Sequence, residues 1–190
     1  MGALDRPLEF SARTGEPIVV RSVTLDDAAA VLDFLRATAA TTDQILSYPD
    51  EFPATVEEER AKLAAMIDDP GALMIVAHHK DTTVGCASIG AHARRRMAHT
   101  ASLGLSAAAA WRGRGVGTIL MQVLLDWARA QPRIEKACLS VWETNAVGRR
   151  LYERLGFAYE GRRTGQCRQA DGTYVDELFM GLWLKPRRTA

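Results

Sequence analysis

Arg112, Gly113, Arg114, Gly115, Val116, Gly117 and Thr118 form the stretch of this chain best suited to chemistry. Glycines at every second position leave backbone N–H groups uncovered, because no Cβ stands over them. A strongly amphipathic segment begins directly behind, so the stretch also carries the unpaired donors and positive dipole end of a helix start. Two arginines add formal charge. Together these are the ingredients of a phosphate or pyrophosphate cradle. The plain alternative is a tight strand-to-helix turn with solvated arginines.

Two other phosphate motifs fit less well. A Walker loop needs Lys after its last glycine, and Thr118 stands there. A dinucleotide fingerprint needs G-x-G-x-x-G opening the first βαβ unit, with an acidic residue ending the next strand. Here the spacing is G-x-G-x-G and several elements precede it. Glu143, near the end of the next strand, keeps a general nucleotide binder as an alternative.

Such a loop needs a strand before it and a helix behind it. The segment Ala98 to Ser106 reads as the strand. Val116, Ile119, Leu120, Val123, Leu124, Trp127 and Ala128 recur at helical spacing, with Pro132 beyond the end. Lys136 to Trp142 is the next strand, reached through that crossover helix and therefore parallel to the strand before the loop. Asn145 caps a further helix that runs through Leu155, with Gly156 at C′. Upstream, Ile18 to Val23 is a short β-branched strand, and Ala28, Val31, Leu32 and Leu35 mark a helix. Thr55 and Glu58 form a capping box opening a second helix. Ala72 to Ala77 and Thr83 to Ala91 complete an antiparallel meander with the strand before the loop. Phe157 to Thr164 and Tyr174 to Leu184 close as a hairpin around Asp171 and Gly172.

The expected order is β-α-α-β-β-β-α-β-α-β-β. That is a single-domain α/β (α+β) fold: a mixed, mostly antiparallel seven-stranded sheet with helices on both faces. Residues 1–16 show no periodicity and are expected to be an arm, loosely ordered or covering a strand. The domain spans 17–185, and 186–190 is a basic tail.

Composition narrows the surroundings. A chain of 190 residues with 47% hydrophobic and 25% charged residues can bury a real core in one domain. A formal net charge of +1 supplies no global field for nucleic acid or anionic membrane. Cys86, Cys138 and Cys167 are odd in number and lack C-x-x-C spacing, so reduced thiols are expected rather than disulfides or a metal site. The first residues lack the apolar core of a signal peptide, and no apolar run approaches the ~20 residues of a membrane helix. The expectation is a cytoplasmic protein with neither a metal nor a nucleic-acid or membrane partner.

The segment Arg112-Gly-Arg-Gly-Val-Gly117 resembles the R/Q-x-x-G-x-G/A signature of the GCN5-related N-acetyltransferases (GNAT). Leu139-Ser-Val-Trp-Glu-Thr-Asn145, with Leu151-Tyr-Glu-Arg-Leu-Gly-Phe157, resembles that superfamily's second conserved block. The element order from residue 18 to 184 fits as well. The ending from Asp171 to Met180 is similar to a bacterial branch grouped with ribosomal-protein and amino-acid acetyltransferases.

The resemblance implies an acetyl-CoA-dependent N-acetyltransferase acting on a primary amine of a small molecule or a protein N-terminus. Amides from Gly113 to Thr118 would face the pyrophosphate, with Arg112 and Arg114 nearby. Leu105, Ser106 and Ala107 would lie along the pantetheine arm, which occupies a gap where neighbouring strands splay. Asn145 would contact that arm, and Tyr152 would protonate the departing thiolate. A free phenol near pKa ~10 giving its proton to a thiol near ~8.5 is uphill by ~2 kcal/mol, which is feasible. Core packing is the other reading of Tyr152.

One expected residue is missing. Many relatives carry Glu on the strand before the glycine loop, and Ser102 takes the comparable place. His99 and Glu143 are the substitutes within reach as a base. The competing function is a non-catalytic acyl-CoA sensor that keeps the cleft. A homodimer through the last hairpin is a further expectation.

Overall fold

The computed structural model describes residues 3–186. Twelve elements follow in chain order: β1 (Leu8–Ser11), β2 (Pro17–Ser22), α1 (Ala28–Ala39), α2 (Val56–Asp68), β3 (Ala72–His79), β4 (Thr82–Ala91), β5 (Thr100–Ala107), α3 (Val116–Ala130), β6 (Lys136–Trp142), α4 (Ala146–Arg154), β7 (Ala158–Arg168) and β8 (Tyr174–Trp183). The strands form one sheet in the order β1-β2-β3-β4-β5-β6-β8-β7. β5 and β6 run parallel, as a crossover helix requires, while β1–β2, β2–β3, β3–β4, β6–β8 and β7–β8 are antiparallel.

The sheet has eight strands rather than the seven expected. The additional strand is β1, inside the arm expected to be loose. It pairs with β2 from Leu8↔Val20 to Ser11↔Pro17. Four residues are too few to register as a periodic pattern, but the outer edge of β2 offers unpaired backbone groups that such a segment can satisfy. Ala12, directly after β1, is buried. Met1, Gly2 and residues 187–190 of the basic tail lie outside the described residues.

The chain divides into two compact units, Met1–Gly90 with Gly104–Trp127, and Ala91–Leu103 with Ala128–Ala190. In the first, α1 and α2 pack on one sheet face through Ala28, Val31, Phe34 and Leu63 against Val76 and Cys86. Helix α3 covers the other face. A Cβ on Gly85 of β4 would stand 2.8 Å from Leu120 Cδ1 and 2.9 Å from Val116 Cγ1, so this strand and helix approach as closely as glycine allows. Caps set the helix entries. Thr55 Oγ1 accepts from the Glu58 amide at 3.2 Å, and Glu58 reaches back to the amide of Ala54 at 2.8 Å. Asp27 takes a two-pronged contact from Arg21, 2.7 and 2.6 Å, before α1.

In the second unit, β6 pairs along its full length with β8, from Lys136↔Trp183 to Trp142↔Glu177. Its parallel ladder with β5 holds three pairs, Thr100↔Lys136 to Ser102↔Cys138. Buried Ala137, Leu139, Val141, Leu151, Phe157 and Met180 make its core. Gly156, at φ +92°, ends α4 in the left-handed turn expected of a glycine at C′.

Candidate active site

In the first unit, β5 leads through a short turn, Ala109–Trp111, into the glycine loop and α3. Gly113 and Gly115 have φ of +77° and +93°, conformations an L side chain resists. These two reversals turn the chain from the strand into the helix. Ile119 is the first amide of α3 with an acceptor along the helix, the Gly115 carbonyl at 3.0 Å. The amides of Val116, Gly117 and Thr118 precede that bond and have no helical acceptor. Unpaired amides at a helix start are suited to meeting an anion.

The two arginines differ. Arg112 is exposed and donates to Thr41 Oγ1 at 3.0 Å and to the Thr41 and Ala107 carbonyls at 3.4 Å each. Arg114 is committed to the protein. It pairs with Glu16 at 2.8 Å and lies over the Trp111 ring, 5.2 Å from its centroid. Its carbonyl also accepts from the Arg13 amide at 2.8 Å. The arm thus braces the loop from behind, a role that no motif in residues 1–16 signals. The Glu16 carboxyl is held below its usual range by Thr14, with Arg114 contributing. Trp111 packs between Arg114 and the His79 ring at 5.0 Å. Leu105, Ser106 and Ala107 close β5 half-buried.

In the second unit, Asn145 Oδ1 accepts from the Gly148 amide at 2.8 Å and so caps α4. A Cβ on Gly148 would fall 2.9 Å from the Asn145 amide group, so the cap closes only over glycine. Two turns along the helix, Tyr152 turns inward, its ring edge-on to Phe157 at 6.1 Å. Burial pushes its phenol up to about 12. The ring packs, and its burial keeps the phenol protonated.

The two candidate bases have structural partners. His99 stacks on Trp183 at 6.3 Å with 18° between planes, and its carbonyl accepts from Glu135 and Lys136. Glu143 is ion-paired with Arg162 at 3.0 Å, and Arg162 also grips Asp176. Among the described residues no group of three or more His, Cys, Asp or Glu converges as a metal site. No helix among them is long and apolar enough to cross a membrane. The three cysteines are free thiols, and burial pushes Cys86 up to about 12.

A glycine loop thus joins strand to helix within a mixed sheet that has one parallel pair. The sequence profile described as the Acetyltransferase (GNAT) family matches residues 38–157, and the chain belongs to that family. It is an acetyl-CoA-dependent N-acetyltransferase that acts on an amine. The chain is 31% identical over 116 residues to the L-amino acid N-acetyltransferase AaaT of Escherichia coli, covering 60% of this chain and 70% of that one. It is 38% identical over 79 residues to an L-methionine sulfoximine/L-methionine sulfone acetyltransferase of Pseudomonas aeruginosa, 42% of this chain and 45% of the relative. In fold it is similar to yncA of Salmonella typhimurium, solved with its cofactor acetyl-CoA. That likeness has a TM-score of 0.80 at 22% identity over 91% of this chain and 97% of the other.

Proposed function

We propose that the protein acetylates the α-amino group of a free amino acid or a close analogue. The observation that carries this reading is the likeness to AaaT, which spans 70% of that enzyme. The 79-residue likeness to the acetyltransferase of methionine derivatives supports the same acceptor class.

In this reading, the amides of Val116, Gly117 and Thr118, with those of Gly113 and Gly115, hold the pyrophosphate of the donor. Exposed Arg112 adds charge at the rim, and Arg114 keeps the loop in shape through Glu16. Leu105, Ser106 and Ala107 offer main-chain groups to the donor's arm and an N–H to the developing oxyanion. The Oδ1 of Asn145 is committed to its cap, so its NH2 is the part that can donate to an arm carbonyl. Bound acetyl-CoA supplies an activated acyl group as a thioester. Tyr152 donates toward the leaving sulfur. From about 12 to a thiol near ~8.5 the transfer is uphill by roughly 5 kcal/mol. This remains below the ~8 kcal/mol that even modest enzymes remove from a barrier.

The test is a melting curve with acetyl-CoA followed by thiol release against a panel of L-amino acids, methionine derivatives and short peptides. Stabilisation with thiol release from free amino acids is expected. Release from peptides alone would move the acceptor to a protein N-terminus. Stabilisation without release from any amine would instead describe a sensor.

A further inference from the structure

The strand carboxylate expected before the glycine loop is absent, yet the first unit buries another. Glu59 of α2 is 4% exposed and stands with Leu63 as one of the two buried residues of that helix. Val56 and Leu63, three before and four after it, belong with the cluster of Phe34, Val76 and Cys86, and Ala108 packs on the same cluster. Residues at these spacings share a helix face, so Glu59 points at the sheet rather than at solvent. Arg60, beside it, turns outward to Asp26 at 3.7 Å.

None of the hydrogen bonds or ion pairs among the described residues reaches the Glu59 carboxylate. No fully enclosed side-chain oxygen or nitrogen among them lacks a partner. The carboxylate oxygens are therefore where the residue keeps its small accessibility. The groups that act on it electrostatically are Lys62 on its own helix and the Cys86 thiol of β4. Cys86 marks where on the sheet this is. The Ala108 amide bonds to the Val84 carbonyl at 3.0 Å, and a Cβ on Gly104 would lie 3.3 Å from Ser88 Oγ. These contacts bracket Ser106 beside Cys86. The carboxylate therefore lies on this sheet face close enough to Cys86 to act on its thiol, one strand from Ser106 at the end of β5, where the proposed function puts the thioester.

We propose that Glu59 takes the proton from the incoming ammonium. This rests on the acetyl-transfer reading above. R-NH3⁺ gives one proton to the Glu59 carboxylate, and the freed amine nitrogen attacks the thioester carbon. The C–N bond forms and the C–S bond breaks. Tyr152 gives its proton to the CoA sulfur and is reprotonated by the second nitrogen proton, and Glu59 returns its own to water. A solvated glutamate lies more than three units below an α-amino group. Burial raises Glu59 from its ordinary value and narrows that gap.

The test compares wild type with Glu59→Gln in melting temperature, acetyl-CoA titration and turnover. One acceptor is an L-amino acid, and the other is its aminonitrile analogue, whose amine is already neutral at neutral pH. For the amino acid, the variant should lose about 10²–10⁴-fold in kcat. Acetyl-CoA affinity should be unchanged and the melting temperature equal or higher, since an uncompensated buried charge has been removed. The loss should shrink at least tenfold with the aminonitrile. A kcat within about threefold of wild type overturns the proposal. So does an equal loss with both acceptors, or a joint fall in stability and acetyl-CoA binding, which would mark a structural residue. If wild type itself releases no thiol with any amine, the acetyl-transfer reading fails first and takes this inference with it.

Discussion

Arg114 donates to Glu16 at 2.8 Å across a sequence separation of 98 residues. An arginine of the glycine loop is thereby spent on holding the loop, while Arg112 two positions earlier remains exposed. The N-terminal arm becomes part of the site's support. Arg112→Ala should weaken acetyl-CoA binding, with a shallower salt dependence than wild type, and leave the melting temperature nearly unchanged. Glu16→Ala should lower the melting temperature slightly and weaken binding less. Titrations at low and high ionic strength check both; equal effects of the two variants would contradict the division of roles.

Gly115 at φ +93° should not tolerate a side chain. Besides the backbone strain, a Cβ there would come within 3.1 Å of Arg13 Cγ. Gly115→Ala should destabilise by about 1–2 kcal/mol and weaken acetyl-CoA binding. Gly113→Ala meets open space and should cost only the φ penalty. Thermal melts of the pair, with and without acetyl-CoA, separate strain from crowding.

Tyr152→Phe keeps the ring against Phe157 and removes only the hydroxyl. Turnover should fall by about 10²–10⁴-fold, with acetyl-CoA affinity little changed. Because the phenol is pushed up to about 12, it stays protonated well above neutral pH. Wild-type turnover should then show no loss of an acid at ordinary assay pH. Steady-state kinetics of the variant decide the matter, and unchanged kcat removes Tyr152 from the chemistry.

Asn145→Ala should lower stability by about 1 kcal/mol through loss of the cap, or roughly 2–4 °C in melting temperature. Gly148→Ala should produce a similar loss, since its Cβ would displace the Asn145 amide. The double variant should cost little more than either single one, because both break the same cap. Additive losses in a double-mutant cycle would refute this coupling.

Asp27 carries a pH prediction. Its contact with Arg21 lowers its pKa to about 2, below the unfolded carboxylate. The stabilisation is complete above about pH 4 and is lost as pH falls toward 2, because the unfolded state then binds the proton first. With solvent screening the effect is on the order of 1–2 kcal/mol. Denaturant melts between pH 5 and 2 should show a slope that Asp27→Asn makes shallower, the remainder coming from Glu16, Asp171 and Asp176, whose carboxyls are also lowered.

Local rules made much of this protein legible in its residues. The spacing from Val116 to Ala128 dictates α3, Thr55 with Glu58 starts α2, and Asn145 with Gly156 bounds α4. The glycine loop before α3 is legible because uncovered amides and a helix start are properties of adjacent residues. The parallel pairing of β5 and β6 also followed, since a crossover helix permits little else. What remained out of reach depends on residues far apart in the chain. β1 exists because the edge of β2 is open to it, and nothing within Leu8–Ser11 says so. Arg112 and Arg114 look alike in sequence; Glu16, Trp111 and Arg13 make one of them structural. His99 lies against Trp183 and Glu143 pairs with Arg162, neighbours that nothing beside them in the chain announces. Glu59 is one acid in a run of three, and only the packing of α2 on the sheet decides which of them faces inward. Backbone conformation and helix periodicity are set by neighbours a few residues apart. The burial and partners of a charge are set by whatever the fold brings beside it, and that the tertiary structure alone decided.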